Sequence, residues 1–117
     1  MNLTGIRGNR AENLALKFLK KQHLKLVERN FNCRYGEIDL VMQDADYLVF
    51  VEVRYRKDQR FGGALASIDE RKQGKLRRSA EHYLIRHKKT DSPCRFDILC
   101  ATGSINRPTF DWIKNAF

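Results

Sequence analysis

The stretch GEIDLVMQDADYLVFVEVRYR, residues 36–56, alternates as two strands joined by a tight turn. A two-residue turn at Ala45-Asp46 sets Asp44 against Tyr47, and then Met42 against Val49, Leu40 against Val51 and Ile38 against Val53. That face is wholly apolar and belongs in a core. The other face pairs Val41 with Phe50, Asp39 with Glu52 and Glu37 with Arg54. Asp39 and Glu52 therefore oppose each other, with Cβ atoms roughly 5 Å apart. Facing carboxylates repel, and water, a shared proton or a cation must relieve them. Val41 and Phe50 imply that this face is partly covered, which argues against simple exposure. A divalent metal is the sharper answer: Mg²⁺ takes oxygen ligands and is commonly held by one or two carboxylates with waters and substrate phosphate.

Upstream, residues 9–22 read as a helix, with Ala11, Leu14, Ala15, Phe18 and Leu19 at helical spacing. Asn9 is placed to cap it, and Glu12, three residues on, completes the cap. Residues 24–33 read as a strand. Downstream of the hairpin, the loop KDQRFGGALA leads to a second helix predicted from Ser67 to about His87, with Ser67 and Glu70 at capping-box spacing. On that helix Lys72, Leu76, Ser79 and Tyr83 form the inward stripe. Lys72 thus points towards the sheet, either as a working group or as a side chain snorkelling past the core edge. Residues 94–101 read as a further strand, followed by a turn at Thr102-Gly103-Ser104 and a tail containing Trp112, Ile113 and Phe117. The order αβββαβ predicts a single α/β domain over 1–117, a mixed sheet flanked by helices.

The chain carries 23 Lys and Arg against 14 Asp and Glu, a net charge of +9. Residues 54–89 alone hold twelve basic and four acidic side chains. An excess localised in this way attracts polyanions by counterion release. Nucleic acid explains it better than a solubilising face or an anionic membrane. Arg71, Lys75 and Arg78 form one stripe beside the inward face and, with Arg56 and Arg60, are the candidate phosphate contacts. Phe61, in the loop Arg60-Phe61-Gly62-Gly63, is placed to stack on a base or to cover the core. The N-terminus has no apolar signal region, and no run approaches the ~20 residues of a membrane span. Three cysteines without CxxC spacing argue against a disulfide framework or a zinc knot, and a reducing cytoplasm is expected. His23, His82 and His87 lack metal-ligand spacing and read as surface residues. Asp97 reads as the partner of Arg95 or as a loop anchor.

Asp39 followed by Glu52-Val53-Arg54 resembles the D…(D/E)-x-K motif of the restriction-endonuclease-like nuclease superfamily. The whole chain resembles the YraN-type family of small bacterial proteins, through Gly8…Ala11-Glu12…Ala15, Arg29-Asn30-Phe31, Gly36-Glu37-Ile38-Asp39-Leu40, Phe50-Val51-Glu52-Val53-Arg54, Phe61-Gly62, Lys72, Arg95-Phe96-Asp97 and Asn115-Ala116-Phe117. Archaeal Holliday-junction resolvases share the core motif. The resemblance implies a restriction-endonuclease-like fold, Mg²⁺ or Mn²⁺ bound by Glu12, Asp39 and Glu52, and hydrolysis of DNA, branched or damaged, by a homodimer; RNA stays open as a substrate. It places Asp39, Glu52 and the position of Arg54 in catalysis, and the inward stripe of the second helix adds Lys72 as a catalytic candidate. Arg54 departs from the pattern, which has Lys there. Arginine is effectively always charged and cannot serve as a base, though it can clamp a phosphate oxygen or pair with Glu37. Lys72 is the candidate substitute. A non-catalytic nucleic-acid-binding module on a decayed nuclease fold is the alternative.

Overall fold

The computed structural model describes residues 3–57 and 68–117, and side chains from residue 9 onward. Its elements are α1 (Leu3–Lys21), β1 (Lys25–Cys33), β2 (Gly36–Asp44), β3 (Tyr47–Arg56), α2 (Glu70–Arg86), β4 (Cys94–Thr102) and β5 (Thr109–Ile113). The five strands form one sheet in chain order. Neighbours are antiparallel except β3 and β4, which run parallel because α2 carries the chain back across the sheet. This is the α/β architecture expected, with one addition. The tail forms a fifth strand, held on β4 partly by Phe110 stacking on Phe18 of α1 at 4.8 Å.

The hairpin register is the predicted one: Asp44 pairs with Tyr47, Met42 with Val49 and Leu40 with Val51. Both faces are buried, one under each helix. Leu40, Met42, Val49, Val51 and Leu99 pack with Ala15 and Leu19 of α1. Val41, Leu48 and Phe50 pack with Ala80 and Tyr83 of α2. Ile38 corrects the expected alternation, since it joins Phe31, Val41 and Phe50 under α2 rather than Leu40 and Met42 under α1. The break falls at Asp39, between the pairs Arg29–Leu40 and Phe31–Ile38, where Asn30 of β1 has a left-handed φ of +52°.

Both helix starts also differ from expectation. α1 begins at Leu3, so Asn9 is interior and Glu12 is released from any capping role. α2 begins at Glu70, with Asp69 as its cap: the Asp69 side chain accepts the Lys72 N–H at 2.8 Å. Ser67, expected as the cap, lies outside the described residues, as do Arg60 and Phe61. Buried Leu76, Ser79, Ala80 and Tyr83 confirm the inward face of α2.

Candidate functional site

The β2–β3 register runs from the turn to Leu40–Val51. At the next position the Val53 N–H donates to the Asp39 side chain at 2.9 Å. The hairpin thus begins to part where its two carboxylates lie. Glu52, on β3, is only 7% exposed. One of its oxygens, Oε1, is approached by Arg54 Nη2 at 3.5 Å and by Lys72 Nζ at 3.7 Å. The other, Oε2, is buried without a hydrogen-bond partner. Lys72 therefore does reach the carboxylates from the first turn of α2. Arg54 pairs with Glu52, two residues away on its own strand, and not with Glu37 as its cross-strand position allowed.

Glu12 joins from α1, one residue past Ala11 on the buried stripe Ala11, Ala15 and Leu19. Arg29 Nη2 approaches its Oε1 at 3.7 Å. With the Asn30 amide nitrogen turned to the acids, that side chain donates to Glu12 Oε1 at 3.0 Å and to Glu37 Oε1 at 2.8 Å. The left-handed backbone at Asn30 thus sits where its amide ties α1 to β2. Arg29 and Asn30 are members of the site that the sequence motif contained but periodicity gave no reason to single out.

The electrostatics are those of a crowded acidic cluster. Burial, and then the Asp39 charge, push Glu52 up to about 7. Burial also raises Asp39, with Glu37 adding to the rise, against the lowering effect of the Val53 hydrogen bond, Lys72 and Arg54. Glu12 is raised by burial and by Asp39 and Glu37. Buried Arg29 Nε and Arg54 Nε also lack partners. A buried carboxylate oxygen without a partner, beside Arg54 and Lys72, marks a site arranged for something beyond internal pairing.

A divalent cation fits this chemistry in one respect and is limited in another. The donors are hard carboxylate oxygens, one of them unpartnered, whose charged forms burial penalises; a bound Mg²⁺ or Mn²⁺ would favour those forms. Among the described residues, however, no three Asp, Glu, His or Cys side chains stand close enough to hold an ion together. Asp39 and Glu52 form the candidate ligand pair. Glu12 is connected to them through charge and Asn30.

Arg71, Lys75 and Arg78 are exposed on α2, and Arg56 at the end of β3 is half-buried. Asp97 is fully buried away from the carboxylates. It accepts hydrogen bonds from Arg95 Nε at 3.0 Å, Trp112 Nε1 at 3.0 Å and the Asn115 N–H at 2.9 Å. It is the anchor the sequence suggested, tying β4 to β5 and to the last residues. His87 is exposed, with Nε2 3.8 Å from Glu28, whereas His82 is half-buried against Phe31 and Tyr35, more enclosed than a surface residue. Among the described residues no helix is long and apolar enough to cross a membrane.

Residues 11–101 match the model of the uncharacterised protein family UPF0102. The chain belongs to the UPF0102 family. It is 50% identical over 117 residues to a UPF0102 protein of Nitrosomonas europaea, covering all of this chain and 98% of that one. A UPF0102 protein of Nitrosomonas eutropha is 54% identical, with 100% and 97% covered. One from Legionella pneumophila is 47% identical over 116 residues, with 98% and 97% covered. The matched family segment contains Glu12, Asp39, Glu52, Arg54 and Lys72, so the whole carboxylate site lies within it.

Proposed function

We propose that this UPF0102 protein is a metal-dependent endonuclease of the restriction-endonuclease-like superfamily, acting on DNA of branched or damaged structure. The observation that carries the reading is the pair of half-buried Asp39 and buried Glu52, with Glu52 Oε2 unpartnered and Lys72 and Arg54 at the other oxygen. Binding to phosphate alone gains nothing from buried acids beside the basic face. A bound Mg²⁺ or Mn²⁺ would supply Lewis-acid polarisation of the phosphoryl oxygen and charge stabilisation in the transition state. The side chains supply the rest. Asp39 and Glu52 hold the cation, and Arg54 offers permanent positive charge to a phosphate oxygen. Lys72, beside Glu52, orients the attacking water. The exposed Arg71, Lys75 and Arg78 grip the backbone of the nucleic acid. The resolvase resemblance implies that two copies act together, and RNA, with the same phosphodiester, is a substrate to be tested.

A second reading draws on a different observation. Arg54 and Lys72 already offer Glu52 positive charge without any metal ion, as they would in a binding protein on a decayed nuclease fold. Cleavage of a labelled branched duplex in Mn²⁺ by the parent, Arg54→Lys, Arg54→Ala and Asp39→Asn separates the two. The nuclease reading expects cutting by the parent, loss in Arg54→Ala and Asp39→Asn, and retained or higher activity in Arg54→Lys with a new rise with pH as lysine deprotonates. Tight DNA binding with no cutting by the parent, but cutting by Arg54→Lys, would establish the decayed enzyme. Equal cutting by all four would be contamination and would overturn the nuclease reading.

A further inference from the structure

The β1–β2 turn presents Tyr35 to the middle of α2, beside Arg78 and His82. Gly36, at φ +144°, lets the turn close against the helix, where Cys33 Sγ lies 3.5 Å from Ser79 Oγ. The Tyr35 ring has the Arg34 guanidinium 4.9 Å from its centroid and that of Arg78 at 5.9 Å. Its hydroxyl accepts from Arg34 Nη2 at 2.6 Å, and the His82 ring meets it edge-on at 6.4 Å. Beside it opens a cleft of about 210 Å³, lined by Tyr35, Arg78, Glu81, His82 and Ile85. Ile85 is 60% exposed although it sits on a strongly basic helix. The core has no use for a half-buried tyrosine flanked by arginines beside an exposed isoleucine.

We propose that this cleft is a nucleotide site in which an unpaired base stacks on Tyr35 while Arg34 and Arg78 hold its flanking phosphates. The guanidinium groups lie over the ring, so a stacking base takes the place of the more distant one, Arg78, which turns to a flanking phosphate; single-stranded nucleic acid supplies a run of flat bases joined by phosphates. Ile85 and the His82 ring add apolar walls, and Glu81 keeps phosphates to the arginine side. The cleft also continues the carboxylate site. Arg78 follows Lys72 by six residues, about 9 Å along the helix axis, and Gly36 and Glu37 lead from Tyr35 directly to Asp39. An unpaired strand extends further per nucleotide than the roughly 3.4 Å of a stacked duplex strand, so that separation is at most about three nucleotides. On the nuclease reading, which this second half of the inference rests upon, the substrate carries an unpaired strand a few nucleotides from the scissile phosphate.

The test is binding in EDTA, free of divalent cations, to a single-stranded thymidine oligonucleotide carrying one 2-aminopurine and to a blunt duplex of the same length. Tyr35→Ala should weaken single-strand binding about tenfold, the scale of one lost base–aromatic stack, and abolish the quenching of 2-aminopurine. Duplex affinity should be unchanged. Tyr35→Phe and Tyr35→Trp should keep both the affinity and the quenching, and thermal melts of all three should show the folded domain. Single-strand affinity and quenching that survive Tyr35→Ala would overturn the site. So would an equal loss for duplex and single strand, or a Tyr35-dependent affinity for an acidic peptide exceeding that for the oligonucleotide. Because no metal is present, cleavage and binding fail separately. Tyr35-dependent binding without cleavage overturns only the nuclease reading, and Asp39-dependent cleavage without Tyr35-dependent binding overturns only this inference.

Discussion

Glu52 concentrates the chemistry of the site in one side chain. Its folded pKa of about 7 lies above its ordinary value of 4.5. Below pH 4.5 both the folded and the unfolded chain carry the proton, and the group costs nothing. As pH rises towards 7 the unfolded chain ionises first, so stability is lost across that window, by an amount on the order of 3 kcal/mol for a shift of this size. Asp39 is raised as well and acts in the same direction. Chemical denaturation of the metal-free protein should show a decline in stability between pH 5 and pH 8 that Glu52→Gln largely removes. A profile identical in parent and mutant would mean that Glu52 is ionised without penalty. Arg54→Ala removes one of the two cations at Glu52. With its guanidinium 30% exposed, the stability cost should be about 1 kcal/mol, measured at pH 8. A loss several times larger would show that Arg54 holds the fold together rather than serving the site.

At the scale of elements, the parts legible in the sequence were those set by periodicity. Period two in β2 and β3 gave the register from Asp44–Tyr47 to Leu40–Val51, and helical spacing put Lys72 on the inward face of α2. What periodicity misses depends on partners distant in sequence. Ile38 changes sides because Asn30, on another strand, is left-handed opposite the break. α1 extends to Leu3 ahead of its apolar stripe, through Gly5 and Gly8, both weak helix formers. The Glu12–Asn30–Glu37 contact needs α1, β1 and β2 assembled before it exists. Likewise β5 reads as a tail in the sequence, because Phe110 and Trp112 look like scattered aromatics until Phe18 and Asp97 are placed against them. Asp97→Ala tests that junction. It leaves the Trp112 indole N–H and the Asn115 N–H without their acceptor and Arg95 with Asp44 alone, and should cost about 2–4 kcal/mol. Trp112 fluorescence should show β5 released ahead of global unfolding; an unchanged melt would mean that the aromatic packing alone holds the strand. On α2, charge reversal of Arg71, Lys75 and Arg78 together should lower duplex affinity and flatten its salt dependence. Affinity unmoved by that triple substitution would put the nucleic-acid surface elsewhere.

For the whole molecule, a net charge of +9 and a buried acidic site are opposing features of one chain. Under the proposed function, the positive surface would gather a polyanion and a metal ion would offset the charge of the acids. Metal binding must then displace the protons that burial holds on the carboxylates, because ligands bind metal in their charged form. Calorimetric titration of Mg²⁺ into the parent at pH 6.5, run in two buffers of different ionisation enthalpy, measures those protons directly. Saturable binding with release of up to about one proton per chain is expected, absent in Asp39→Asn and in Glu52→Gln. Heats indistinguishable from dilution in the parent, or binding with equal proton release in all three proteins, would contradict the metal site.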